Sequence, residues 1–115
     1  MWQKAHDLTL AIYAATAAFP RDEAYGLTSQ MRRAAGSIGA NIAEGCRRGT
    51  DGELRQSLQI AMGSATELDY HLLLARDVGY LPASAYSACQ SSVTEVQKML
   101  SAFIVKLRPS RAQQF

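Results

Sequence analysis

The sequence predicts an all-α protein that folds as an antiparallel, up-down-up-down four-helix bundle. Apolar residues recur at steps of three and four residues in four long segments. The connections between these segments are short and contain proline or glycine. No segment alternates apolar and polar residues over a useful length, which argues against strands. Apolar stripes that repeat near every 3.5 residues favour helices that cross at about 20°, as they do in bundles.

Length and composition indicate one domain. The chain has 115 residues, of which 48% are apolar and 19% charged, and this argues against disorder. We expect the bundle to span residues 1–108 and residues 109–115 to form a flexible tail. The sequence shows no signal peptide and no apolar run near 18 residues, so we expect a soluble cytoplasmic protein that does not enter a membrane.

The first helix is predicted from Trp2 to Phe19, since Pro20 disfavours helical geometry in the residue before it. Its apolar stripe consists of Ala5, Leu8, Ile12, Ala15 and Phe19. The second helix is expected to begin near Leu27 or Thr28, with Thr28 as its cap, and to end near Arg47.

The second helix carries three different faces, which predicts that it is buried among several neighbours, some of them from another subunit. The apolar face consists of Leu27, Met31, Ala34, Ala35, Ile38 and Ile42, and the small-residue face consists of Gly36, Gly39, Ala40 and Ala43. The polar face consists of Gln30, Arg33, Ser37, Asn41, Glu44 and Arg48. We interpret Arg33, Ser37, Asn41 and Glu44 as a structural polar network that fixes helix register; a cluster that contacts a ligand is the alternative.

The third helix follows a capping box formed by Thr50 and Glu53 and ends at Gly79. Its core stripe is Leu54, Leu58, Ala61, Ala65, Leu68, Leu72 and Ala75. The fourth helix is predicted from Ala83 to Leu107, and Pro109 closes it. Its stripe is Ala85, Cys89, Val93, Val96, Leu100, Phe103 and Leu107.

The third helix has a second stripe opposite its leucine face, where a lone bundle should present charge. This stripe contains Ile60, Gly63, Glu67, Tyr70 and Leu74. We interpret it as a subunit interface; the alternative is a set of isolated exposed apolar residues.

Catalytic and metal-binding patterns are not convincing, so we expect neither an enzyme nor a cofactor or metal. Cys46 and Cys89 lack metal-ligand spacing and are predicted to be buried, reduced thiols. Glu67 and His71 are four residues apart, which favours a pair on the helix surface over a di-iron site.

A formal net charge of +2 by itself does not indicate a nucleic-acid binder. The functional prediction therefore depends on where the charged residues lie. We identify Arg32, Arg47, Arg48 and Arg55 as candidate nucleic-acid-binding residues, with a solvated face as the alternative. In a ring of several copies these arginines would repeat and their potentials would add. Few aromatic residues lie off the packing stripes, which favours recognition of backbone and shape over base stacking.

Three blocks of the sequence resemble a known family. They are WQKAHDLTLAIYAATAAFP, YGLTSQMRRAAGSIGANIAEG and GSATELDYHLLLA. They are similar to the bacterial four-helix-bundle proteins named for the 23S rRNA intervening sequence, also described as ribosomal-protein-like, and to the accessory variability protein of diversity-generating retroelements. The most specific motif is Ser37 followed by Asn41 to Gly45. This chain departs from the pattern in beginning at Met1 and Trp2, where relatives usually carry several residues first.

The resemblance implies a bundle that assembles into a ring, typically a pentamer. It also implies that retroelement relatives bind nucleic acid and a reverse transcriptase through a basic surface. Two hypotheses follow: a non-enzymatic ring that binds structured RNA or DNA, and a protein scaffold for a partner enzyme such as a reverse transcriptase.

Overall fold

The computed structural model describes residues 1–107, and these form an all-α four-helix bundle without strands. The helices are α1 (Trp2–Thr16), α2 (Leu27–Arg47), α3 (Asp51–Asp77) and α4 (Ala83–Lys106), and a short 3-10 helix spans Arg21–Glu23. The molecule measures 54 × 22 × 21 Å, so the helices run along one long axis. The predicted tail, residues 109–115, lies outside the described residues.

The contacts between helices show that α2 runs opposite to both α1 and α3. Along α2 and α3, Ser64 Oγ donates a hydrogen bond to Ser37 Oγ at 2.9 Å, and Gly45 lies against Ser57. Residue numbers therefore rise along α2 as they fall along α3. The same opposition relates α1 to α2, where Thr9 Oγ1 donates to Ala35 O at 3.1 Å and Arg32 Nε donates to Thr16 Oγ1 at 2.9 Å.

The predicted apolar stripes form the core. Buried positions come from all four helices and from the turns beside them: Ala5, Leu8, Ile12, Phe19, Leu27, Met31, Ala34, Ala35, Ile38, Ile42, Leu58, Ala61, Ala65, Leu68, Leu72, Ala75, Leu81, Cys89, Val93, Val96 and Leu100. Burial of each large aliphatic side chain contributes about 1.5 to 3 kcal/mol.

The ends of α3 confirm the cap at Thr50 and the stop at Gly79, although the Glu53 side chain bonds to the Thr50 hydroxyl and not to its backbone N–H. Thr50 Oγ1 accepts a hydrogen bond from Glu53 N at 3.1 Å and donates one to Glu53 Oε1 at 2.9 Å. At the other end Gly79 has φ +87°, a left-handed conformation that favours glycine. Gly79 N donates to Arg76 O and Tyr80 N donates to Ala75 O, so the last carbonyls of the helix are satisfied.

Only part of the small-residue face of α2 packs against another helix. Gly39 is buried beside Trp2, whose indole Nε1 lies 3.6 Å from the position that a Cβ would take at Gly39. The Trp2 ring stacks on His6 with a centroid distance of 5.0 Å. The other members of this face, Gly36, Ala40 and Ala43, are exposed.

One predicted helix boundary and one predicted cap are wrong. The first helix ends at Thr16 and not at Phe19, although Phe19 is buried as predicted. Thr28 does not cap the second helix, because that helix already begins at Leu27. Instead, Glu23 Oε1 accepts a hydrogen bond from Leu27 N at 3.1 Å and takes the role that a capping side chain would have.

Two predictions of burial are also wrong. Cys46 is exposed, because Gly45 rather than Cys46 lies against α3. Phe103 is 39% exposed. Lys4 of α1 pairs with Glu95 of α4, and α4 continues about 16 Å beyond this pair, whereas α1 extends only about 3 Å past it. Phe103 therefore lies where α1 no longer covers α4.

Candidate functional site

A polar cleft separates the outer edges of α2 and α3. It has a volume of about 470 Å³ and is lined by Gln30, Arg33, Ala34, Ser37, Ser64 and Glu67. Arg33 and Ser37 belong to the predicted polar network, and Glu67 belongs to the predicted subunit interface. The fold therefore brings the predicted polar network and the predicted subunit interface together in one cleft.

The four residues of the predicted polar network do not form one network. Asn41 Nδ2 donates to Ser37 O at 2.8 Å and to Ser37 Oγ at 3.1 Å, and Ser64 from α3 completes this group. Glu44 instead pairs with Arg48 at 3.4 Å, and both side chains are about half exposed. Arg33 is exposed and makes no hydrogen bond to other side chains within residues 1–107. The serine–asparagine part fixes the register of α2 against α3.

The second stripe of α3 is open to solvent in a single chain. Ile60 is 51% exposed and Tyr70 is 60% exposed. A Cβ added at Gly63 would meet no atom within 4 Å. Glu67 is exposed beside the polar cleft, and Leu74 is half-buried. Ile60, Gly63, Glu67 and Tyr70 therefore form an exposed strip of mixed character along α3, and Leu74 at its end packs partly against the core.

His71 does not form the predicted surface pair with Glu67. Its side chain is buried, and its Nδ1 has no hydrogen-bond partner within the described chain. The helical spacing places it on the same edge of α3 as Ser57 and Ser64, which face α2. The imidazole is consequently part of the packing between helices.

The four candidate nucleic-acid-binding arginines do not lie together. Arg47, Arg48 and Arg55 are grouped around the connection between α2 and α3, whereas Arg32 lies about 22 Å away along α2. Arg32 Nε donates to Thr16 Oγ1 at 2.9 Å, and its Nη2 donates to Tyr13 O at 3.3 Å. Arg32 is thus held against the last turn of α1, where its second bond satisfies a backbone carbonyl.

At the α2–α3 connection, Arg48 is occupied by acidic neighbours. It pairs with Glu44 at 3.4 Å and with Glu53 at 3.1 Å. The hydrogen bonds from Arg48 and then from Thr50 hold the pKa of Glu53 below its usual value. Arg47 and Arg55 make no ion pair within the described residues, so they are the cations of this group that a ligand could neutralise.

Residues 1–107 contain no group of three or more histidine, cysteine, aspartate or glutamate side chains placed to hold a metal ion. Within the same range, no helix is both long and apolar enough to cross a lipid bilayer.

The fold and these surfaces define a small helical bundle with an exposed α3 strip, a polar α2–α3 cleft and dispersed arginines. The chain belongs to the 23S rRNA-intervening sequence protein family, whose model matches residues 1–102. It is similar to a crystal structure at 1.70 Å resolution of a protein of unknown function from the S23 ribosomal protein family of Bacteroides thetaiotaomicron. The two are 25% identical with a TM-score of 0.81, over 90% of this chain and 96% of the other. No curated protein matches the chain.

Proposed function

We propose that the protein is a non-enzymatic bundle that assembles into a homo-oligomeric ring and binds structured RNA or DNA through its arginines. The observation that carries the proposal is the pair Arg47 and Arg55, which have no ion-pair partner within residues 1–107 and lie at one end of the bundle. Guanidinium groups bind phosphate through two parallel hydrogen bonds.

Among the arginines near the α2–α3 connection, the neighbouring acidic residues leave Arg47 and Arg55 to contact a phosphate. Glu44 and Glu53 are engaged with Arg48, so this arginine is largely neutralised by its own chain. Asp51 lies in the first turn of α3, where a carboxylate interacts favourably with the positive end of the helix dipole. One copy therefore offers a weak cationic site, and a ring that repeats this site would bind a polyanion more strongly.

The exposed strip of α3 supports the oligomeric part of the proposal. Ile60 and Tyr70 expose apolar surface, and Gly63 between them leaves room for another helix to approach. By family resemblance the ring is a pentamer. Mass measurement in solution should give a multiple of the chain mass for the natural protein and a lower mass for Tyr70→Asp. A monomeric natural protein would contradict the ring.

Nucleic-acid binding is tested by fluorescence anisotropy with a labelled, structured RNA over a range of salt concentrations. The double variant Arg47→Gln with Arg55→Gln should bind more weakly, with a salt slope reduced by about one for each lost phosphate contact. Arg76→Gln is the matched control, because Arg76 pairs with Asp77 and stacks over Tyr86. Equal affinity and slope in the double variant and the natural protein would refute the assignment.

A second candidate function is a protein scaffold, for example for a reverse transcriptase, without direct contact to nucleic acid. The exposed end of α4 favours it, since Phe103 is 39% exposed and Val105 is 58% exposed. This function predicts a stoichiometric complex with a purified partner enzyme that is lost in Phe103→Asp. It also predicts no affinity of the protein alone for RNA, which is the opposite of the leading proposal.

A further inference from the structure

A second cleft lies between α1 and the N-terminal half of α2, far from Arg47 and Arg55. Its volume is about 560 Å³ and it is open to solvent along one side. The side chains that give it chemical character are Tyr13, Tyr25, Thr28, Ser29, Arg32 and Arg33. We refer to it as the tyrosine–arginine cleft.

The two tyrosines present aromatic surface to solvent. Tyr25 is fully exposed and Tyr13 is 48% exposed. The guanidinium carbon of Arg32 lies 4.5 Å from the centroid of the Tyr13 ring, and this cation–π contact fixes the orientation of the ring. Arg32 is itself held by the Thr16 hydroxyl and the Tyr13 carbonyl. The cleft therefore contains a positioned aromatic–guanidinium stack before any ligand binds.

The charge of the cleft is positive. No carboxylate is among the residues that line it. Glu23, which is adjacent in sequence to the cleft residue Ala24, accepts hydrogen bonds from Leu27 N at 3.1 Å and from Tyr80 Oη at 2.9 Å. Arg33 is exposed and has no ion-pair partner within the described chain. Its guanidinium is therefore available to a phosphate.

We propose that the tyrosine–arginine cleft binds single-stranded nucleic acid, with a base stacked on Tyr25 or Tyr13 and a phosphate held by Arg33. Exposed aromatic rings beside arginines are the combination that binds single strands without sequence preference. The cleft runs about 12 Å from Thr28 to Gly36, which spans about three nucleotides at a stacked spacing near 3.4 Å. A duplex would not offer its base faces to the tyrosines.

The assignment of this cleft rests on the proposed function, because it takes nucleic acid as the ligand. It differs in the binding surface, which is the tyrosine–arginine cleft, and in the form of the ligand, which is single-stranded. It also revises the expectation from sequence that base stacking is absent. The six-residue oligonucleotide hexathymidylate is a suitable probe because it forms no duplex with itself.

The experiment measures binding of labelled hexathymidylate by anisotropy to the natural protein and to paired variants. Tyr25→Ala should weaken binding at least about five-fold, whereas Tyr25→Phe, which keeps the ring, should change it less than about two-fold. Arg33→Gln should reduce the salt slope by about 0.7, and Arg33→Lys should retain it. Because Tyr25 is fully exposed, these variants should keep the far-UV circular dichroism of the natural protein.

The outcomes separate this inference from the proposed function. If structured RNA binds through Arg47 and Arg55 but Tyr25→Ala leaves hexathymidylate binding unchanged, the cleft assignment is overturned and the proposed function stands. If hexathymidylate binds through Tyr25 while Arg47→Gln with Arg55→Gln leaves RNA binding unchanged, the cleft assignment stands alone. Equal binding of hexaglutamate would show a general anion site and would overturn the assignment to nucleic acid.

Discussion

The contact between α2 and α3 at Gly45 leads to a sharp prediction for Gly45→Ala. A Cβ at Gly45 would lie 2.8 Å from Ser57 Cβ and 3.0 Å from Leu54 Cδ1. The leucine methyl can rotate away, but Ser57 Cβ is fixed to the backbone of α3. The substitution therefore requires α2 and α3 to move apart, and this movement disturbs the core between them.

The expected magnitude combines two opposing terms. Overpacking of this kind costs about 1 to 3 kcal/mol. Replacement of glycine by alanine in a helix returns up to about 1 kcal/mol. We therefore expect Gly45→Ala to lower the free energy of unfolding by about 1 kcal/mol. The control is Gly36→Ala in the same helix, where a Cβ meets no atom within 4 Å, and this variant should gain about 0.5 to 1 kcal/mol.

Urea unfolding followed by far-UV circular dichroism measures both variants. The chain concentration should be the same in every experiment, because association changes apparent stability. Adding Ser57→Gly to Gly45→Ala removes the Cβ that clashes, so the double variant should be more stable than the sum of the single effects predicts. If Gly45→Ala is as stable as Gly36→Ala, the close approach of the two helices at this point is wrong.

Three further predictions follow from local features. Gly79→Ala should lower stability by about 1 to 2 kcal/mol in urea unfolding, because Gly79 has φ +87°; an unchanged midpoint would contradict this conformation. Exposed Cys46 should react with a thiol reagent in the folded protein, whereas burial protects Cys89 and raises its pKa, so equal labelling rates would count against the packing of α4. Because the pKa of Glu53 is lowered in the folded protein, the ionised Glu53 carboxylate stabilises the fold. This stabilisation is complete above the usual pKa of a glutamate and is lost as pH falls through the lowered value. Arg48→Gln should raise this pKa in an NMR titration, and a pKa unchanged by the substitution would exclude Arg48 as the cause.

The fold could be predicted because the spacing of apolar residues along a helix shows which of them are buried. Residues at the centre of each stripe, such as Leu8, Ile38 and Leu68, are all buried as expected. The predictions of helix bounds and burial that were wrong concern positions near helix ends, except that His71 is buried inside α3. Thr16 ends α1 three residues early, and Phe103 lies on α4 beyond the reach of α1. Periodicity does not show where a neighbouring helix begins or ends, so it cannot locate such positions.

The candidate site was harder to predict, since sequence spacing does not show which charges are already paired. Arg32 and Arg48 look alike in sequence. In the fold, however, Arg32 bonds to the last turn of α1, and Arg48 bridges two glutamates. Tyr25 lies in a loop where no pattern constrains it, and only the fold brings it beside Arg33. No sequence pattern indicates that Glu23 replaces Thr28 as the cap, because a capping side chain normally belongs to the N-cap residue itself.

The position of Trp2 has a practical consequence for spectroscopy. It is the single tryptophan of the chain, and it lies half in solvent against Gly39, at one end of the α1–α2 pair. Its intrinsic fluorescence will thus sense detachment of the first turn of α1, while circular dichroism follows the whole bundle. A difference between the two transition curves would measure fraying of that terminus separately from global unfolding.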